Sequence, residues 1–179
     1  MDDRRARFEA QVLPHLDAAY RYARWLTRTA ADADDVVQEA TLRAFRGFAD
    51  LRGADARAWL LTIVRNCHFT AFRKRQKHNL VPFPAEHEGG VAMIAATPDP
   101  EADAIGRDEQ RTLQRLLAAL PDEQREVLVL REIEDLGYRQ IATVTGLPIG
   151  TVMSRLARAR AALRNRWRLE IQGEARGMR

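Results

Sequence analysis

The chain has 179 residues, 46% of them hydrophobic and 30% charged, with 29 Lys and Arg against 25 Asp and Glu and a formal charge of +4. That is apolar material for one domain of moderate size or two small ones, and with Cys67 as its only cysteine the chain has no intrachain disulfide. No apolar run approaches the roughly 20 residues of a membrane span, and the start MDDRRARFEA lacks a signal-peptide apolar core, so a cytoplasmic chain without membrane insertion is expected.

From about Arg4 to Lys77 the pattern is helical, interrupted only by Pro14, Gly47 and Gly53. A helix from about Ala33 to Phe48 has an inner stripe of Val37, Ala40, Ala44 and Phe48. Its outer face holds Asp35, Gln38, Glu39 and Leu42. A leucine among acids and an amide makes a small protein-docking surface, with charge for steering and one anchor for burial. It is equally a solvated acidic face with one incidental leucine, and the residues alone do not choose between the two.

The polar loop from Leu51 to Arg57, which contains Arg52 and Gly53, can receive a flipped base, although its composition does not require one. The helix after it, about Ala56 to Lys77, is expected to bury Trp59, Leu60, Ile63, Val64, Cys67 and Ala71 and to turn Thr62, Arg65, Asn66, Phe69 and Arg73 outward. An aromatic among basic and amide groups points to nucleic acid: Phe69 stacks on an unpaired base while Arg73 and Lys74 hold phosphates. The alternative is that Phe69 packs under the next segment, against Val81 or Phe83.

From His78 to Pro100 the text holds four prolines, a glycine pair and no sustained period, which reads as a linker. Helical periodicity resumes near Asp103. Pro121 opens a helix with Asp122 and Glu123 in its first turn, where the helix dipole favours acids. No convincing alternating strand occurs. The expected fold is all-α: a first helical domain over 1–77, a flexible linker over 78–105, a second helical domain over 106–170 and a tail over 171–179.

Within the second domain, Tyr138 to Arg160 reads YRQIATVTGLPIGTVMSRLARAR. Ala142 is small enough to let a second helix approach, Gly146 supplies a turn with positive φ, and Val152 pins the second helix to the first. These are the requirements of a helix-turn-helix. A plain helical hairpin shares them but has no need of the arginines that follow. At about 100° per residue, Val152, Leu156, Ala159 and Leu163 form the apolar stripe. Thr151, Ser154, Arg155 and Arg158 lie opposite, where they can bond phosphates or base edges. Two separated basic patches, Arg65 to Lys77 and Met153 to Arg179, imply two contacts with a polyanion.

Two motifs now agree. DADDVVQEATLRAF (Asp32 to Phe45) followed by RAWLLTIVRNCHFTAFRKR (Arg57 to Arg75) resembles region 2 of a sigma-70 family factor. LPDEQREVLVLREIEDLGYRQIATVTGLPIGTVMSRLARAR (Leu120 to Arg160) resembles region 4. The short gap between them fits the extracytoplasmic-function (ECF, group 4) sigma factors, and the resemblance covers nearly the whole chain apart from the linker and the last dozen residues.

The resemblance implies an RNA polymerase sigma factor that binds core polymerase, recognises −35 and −10 promoter elements and promotes transcription initiation under the control of an anti-sigma factor. Asp35, Gln38 and Glu39, with Leu42 beside them, match the face that binds the clamp helices of the largest polymerase subunits. Asn66 matches the region 2 asparagine used in reading the −10 element, and the 51–57 loop, with Arg52 and Arg57, matches the loop that captures an extruded base. With Phe69, Arg73 and Lys74 they form the expected −10 site. Thr151, Ser154, Arg155 and Arg158 match the −35 reading helix. The chain departs from the family where Met153 stands in place of a frequent Arg or Lys and Ala157 in place of a frequent aromatic or His, which leaves Arg155 and Arg158 as the main polar readers.

A stand-alone helix-turn-helix regulator would need neither the acidic helix nor the second basic helix. A nucleic-acid enzyme would need a metal spacing, a phosphate loop or paired carboxylates, none of which the sequence offers; Cys67, beside His68, falls on the core stripe. No catalytic residue, metal or cofactor is expected.

Overall fold

The computed structural model describes residues 2–27, 29–51, 53, 55–78 and 112–177, with side chains for 3–27, 29–51, 53, 55–74 and 112–170. The predicted linker beyond residue 78 and the loop residue Arg52 lie outside the described residues. In chain order the helices are α1 (Asp2–Val12), α2 (Leu16–Leu26), α3 (Ala30–Arg46), α4 (Ala56–His78), α5 (112–118), α6 (Asp122–Leu128), α7 (Tyr138–Thr145) and α8 (Ile149–Gly177). Short 3-10 turns precede α2 (Leu13–His15) and follow α3 (Phe48–Leu51). No strand occurs among the described residues, as the sequence pattern predicts.

α2, α3 and α4 pack against one another. Small residues make this close approach possible: Ala19 and Ala23 on α2 and Ala33, Ala40 and Ala44 on α3 are all fully buried. α3 starts at a cap in which the Thr29 hydroxyl accepts the Asp32 N–H at 3.0 Å. It ends under Arg4 of α1, whose guanidinium donates to the carbonyls of Phe45 and Arg46 at 2.7 and 2.9 Å. Phe8 meets Phe45 and Phe48 edge-on, with centroids 5.1 and 5.5 Å away.

Two stripes differ from the sequence reading. On α3 the buried valine is Val36, while Val37 is half-buried; Phe48 is buried, but from the turn beyond the helix. On α4, Leu61 joins Leu60, Val64 and Cys67 in the core, whereas Trp59, Ile63 and Ala71 are half-buried and Thr62 and Arg65 do not face open solvent. A single amphipathic stripe assumes one packed side. α4 is covered on two, by its own bundle and by α7.

In the second module, Pro121 accepts from the N–H groups of Gln124 and Arg125, opening α6 where the sequence places it. α6 then widens into a π turn over Val129–Ile133, with the Glu134 N–H bonded to the Val129 carbonyl at 3.0 Å, and Asp135 takes a left-handed φ of 46°. α7 ends at Gly146, whose φ of 70° and N–H bond to Ala142 at 2.9 Å form the predicted turn. Val152, Leu156 and Ala159 of α8 are buried beneath it.

The two modules are in contact. α4 lies against α7, α2 touches the π turn, and one apolar cluster runs through both sets of helices.

Candidate nucleic-acid interface

Three surfaces carry the residues singled out by the sequence. On α3, Asp35 and Gln38 are exposed, and so is Leu42 at 48%. Glu39 is half-buried and accepts from Arg43 Nε, one turn on, at 2.6 Å. An exposed leucine between an acid, an amide and a braced carboxylate leaves an anchor with polar flanks.

On α4, Asn66, Arg73 and Lys74 are exposed. Phe69 is half-buried beneath Arg65, whose guanidinium carbon stands 4.6 Å from its ring centroid, and its edge meets His68 at 5.1 Å. Its other expected neighbours, Val81 and Phe83, lie outside the described residues. Arg57 is half-buried and donates to Glu134 of the second module at 2.7 Å. Asn66, Phe69, Arg73 and Lys74 thus lie together on the later turns of α4, whereas Arg57, in its first turn, faces the other module.

On α8, Arg158 is exposed and donates to the Ser154 hydroxyl at 3.4 Å, while Ser154 in turn donates to the Thr151 carbonyl at 3.0 Å. Arg155 lies at the flank of the helix, with only 19% of its side chain exposed, and pairs with Glu123 at the start of α6 at 2.7 Å. Two exposed positions of the first turns carry large apolar side chains: Ile149 at 42% and, one turn on, Met153 at 52%.

The contact between modules is ionic as well as apolar. Arg21 of α2 grips Glu134 with two bonds, Nε to Oε1 at 3.0 Å and the terminal nitrogen to Oε2 at 2.9 Å, and Arg57 joins the same carboxylate. Glu134 is fully buried. Glu126, 8% exposed, accepts from Arg65 at 2.7 Å and from the Tyr22 hydroxyl at 2.8 Å. Burial first, then the charge and hydrogen bond of Glu126, hold the Tyr22 phenol well above its ordinary pKa. The Gln140 side chain accepts the Gly137 N–H at the start of α7 and donates to the Asp55 carboxylate. That carboxylate caps α4 by accepting the N–H groups of Arg57 and Ala58. Burial works to raise the Asp55 carboxyl, but these hydrogen bonds outweigh it and its pKa lies below the ordinary value.

Arg21, Asp55, Glu126, Glu134 and Gln140 carry no signal in the sequence pattern. A projection at constant rotation loses its phase in a π turn, so Glu134 after REI reads as one more surface acid. Its burial shows only once that turn and the left-handed Asp135 are known. Among the described residues, no group of three or more His, Cys, Asp or Glu is gathered to hold a metal.

Comparison with known proteins follows the same division. Residues 12–78 match the Sigma-70 region 2 family and residues 110–163 match the Sigma-70 region 4 family. The sigma-H factor of Pseudomonas aeruginosa is 36% identical over 139 residues, which are 75% of this chain and 72% of that protein. The chain belongs to the ECF sigma factors of the sigma-70 family. The ECF sigma factor SigE of Mycolicibacterium smegmatis is 33% identical over 86% of this chain, and the match spans 59% of that relative's length. The ECF sigma-E factor of Escherichia coli K12 is 31% identical over 75% of this chain and 73% of its own. Among solved structures, sigma factor RpoE in complex with the anti-sigma factor NepR from Bartonella quintana aligns with a TM-score of 0.70 at 27% identity, over 90% of this ECF chain and 96% of that one. CnrH in complex with the cytosolic domain of CnrY aligns with a TM-score of 0.61 at 27% identity, over 88% and 85%.

Proposed function

We propose that this chain is the promoter-specificity subunit of RNA polymerase, acting in the cytoplasm. It binds core polymerase, recognises −35 and −10 elements, promotes initiation and catalyses no reaction of its own. The observation that carries the reading is the pairing, in one chain, of an exposed acid, amide and leucine face on α3 with a solvent-facing reading helix, α8, built on a Gly146 turn. Asp35, Gln38, Glu39 and Leu42 dock on the clamp helices of the largest polymerase subunit. Arg57, Asn66, Phe69, Arg73 and Lys74 serve the −10 element, with Arg52 in the loop before them. Opening of the duplex is driven by the binding of unpaired bases.

On the −35 side, Thr151, Ser154 and Arg158 are the polar readers in the present arrangement. Arg155 joins them when it leaves Glu123. Ile149 and Met153 present an apolar edge suited to thymine methyl groups. Control by an anti-sigma factor is supported by the solved relative RpoE, which is a complex with the anti-sigma factor NepR. The first domain is assigned to 1–77 and the second to 106–170.

The deciding experiment is capture of core polymerase by the wild-type chain and by Asp35→Ala/Gln38→Ala. The double variant is expected to lose most of the captured polymerase while keeping its helical circular dichroism. Undiminished capture would remove the docking assignment.

A further inference from the structure

Three arginines of the first module share one face: Arg21 on α2, and Arg57 and Arg65 on α4. The last two are two turns apart, about 12 Å along the helix axis. Each is a fork of N–H donors, and each is filled by a carboxylate that belongs to the second module. Arg21 and Arg57 converge on Glu134, and Arg65 meets Glu126. Both carboxylates are withdrawn from water. Burying two charges in this way is costly unless the partners match closely, and the bidentate geometry of Arg21 on Glu134 supplies that match. The same guanidinium geometry fits phosphate oxygens equally well. On the same helix Asn66, Arg73 and Lys74 remain exposed, the first two turned away from Arg57 by roughly half a rotation at about 100° per residue, so α4 carries open polar and basic groups on one side and occupied arginines on another.

We propose that Arg21, Arg57 and Arg65 form a binding site for the phosphates of DNA, and that Glu126 and Glu134 occupy it in the closed chain as stand-ins for those phosphates. Release of the second module and exposure of the site are then one event. Arg21 belongs to the DNA-binding face although it lies on another helix and far from the motif. The chain in its closed form is a poor DNA binder because its own carboxylates compete within the molecule. The proposal rests on the reading of α4 as a DNA-contacting helix.

The test uses the isolated full chain and a fluorescein-labelled single-stranded DNA 12-mer of mixed sequence, followed by anisotropy across a salt series. Glu126→Gln/Glu134→Gln keeps the shape of both side chains and removes their charge. It is expected to bind at least about tenfold more tightly than the wild type, with a log K against log salt slope steeper by about 2 for three added phosphate contacts. Adding Arg21→Ala, Arg57→Ala and Arg65→Ala to it should return the affinity to the wild-type level or below.

Small-angle X-ray scattering on the same samples should show a larger radius of gyration for the charge-free variant. An enlarged radius with unchanged DNA affinity would overturn the phosphate site. An unchanged radius would overturn the role of the glutamates in closure. A second chain leaves both glutamates native: Asp55→Cys/Gln140→Cys, joined by a short bis-maleimide, with Cys67 buried out of reach of the reagent. The joined chain should bind DNA more weakly than the same chain unjoined, and equal binding would also sink the proposal. Failure of the parent reading looks different: the charge-free variant gains DNA affinity, yet neither it nor the wild type directs core polymerase to a promoter.

Discussion

At the scale of single residues, the turn of the reading motif depends on one backbone angle. A Cβ placed on Gly146 meets nothing within 4 Å, so the strain of a larger residue there comes from its φ of 70° alone. Gly146→Ala should therefore lower stability by about 1 kcal/mol, and Gly146→Asn by less, since asparagine tolerates the left-handed region. Urea denaturation measures the difference as a shift in midpoint at constant slope. Gly146 and Val152 were legible in the sequence because spacing alone specifies them. Arg155 was only half legible. Its position on the helix follows from the period, but its partner Glu123 lies on another helix, and no periodicity names a partner across a gap.

At the scale of elements, the two long basic helices behave differently. α8 keeps one packed side, so its buried residues fall where constant rotation puts them, with Leu163 only half-buried at the far end. α4 is packed on two sides, which is why the predicted outer positions Thr62 and Arg65 are partly covered. The neighbouring element that covers α4 belongs to the second module and could not be inferred from the amphipathic pattern of α4 itself. The division of labour on α8 can be measured. Arg158→Ala should weaken promoter binding by the assembled polymerase about tenfold, the loss of one good base or phosphate contact, and leave capture of core polymerase unchanged. Arg155→Ala should show a smaller loss. Its pair with Glu123 is open to water on the acid's side, so the effect on stability should stay within about 1 kcal/mol. Filter binding or a gel-shift titration of both variants checks the order.

For the whole molecule, both modules and their order were legible, whereas their contact was not: a linker long enough to separate two domains is also long enough to let them meet. The contact carries a titration of its own. Tyr22 is held protonated by burial and by Glu126 beside it, so its folded pKa lies above its ordinary value. The stabilisation is fully present below about pH 10 and is lost as the pH rises from there towards the folded value. Scattering or circular dichroism across the alkaline range should show the wild type loosening above about pH 10. Tyr22→Phe, which has no proton to lose, should show a shallower dependence after an initial cost of about 1 kcal/mol for the missing hydrogen bond. One small group at the seam matters out of proportion to its size. Asp55 caps α4, and through Gln140 it also touches the first turn of α7, so its carboxylate lies between the positive ends of two helix dipoles. Neutralise it and the hydrogen-bond chain that runs from the start of α4 to the start of α7 loses its negative member, so a change made at one helix cap acts as an unfastened latch between the modules.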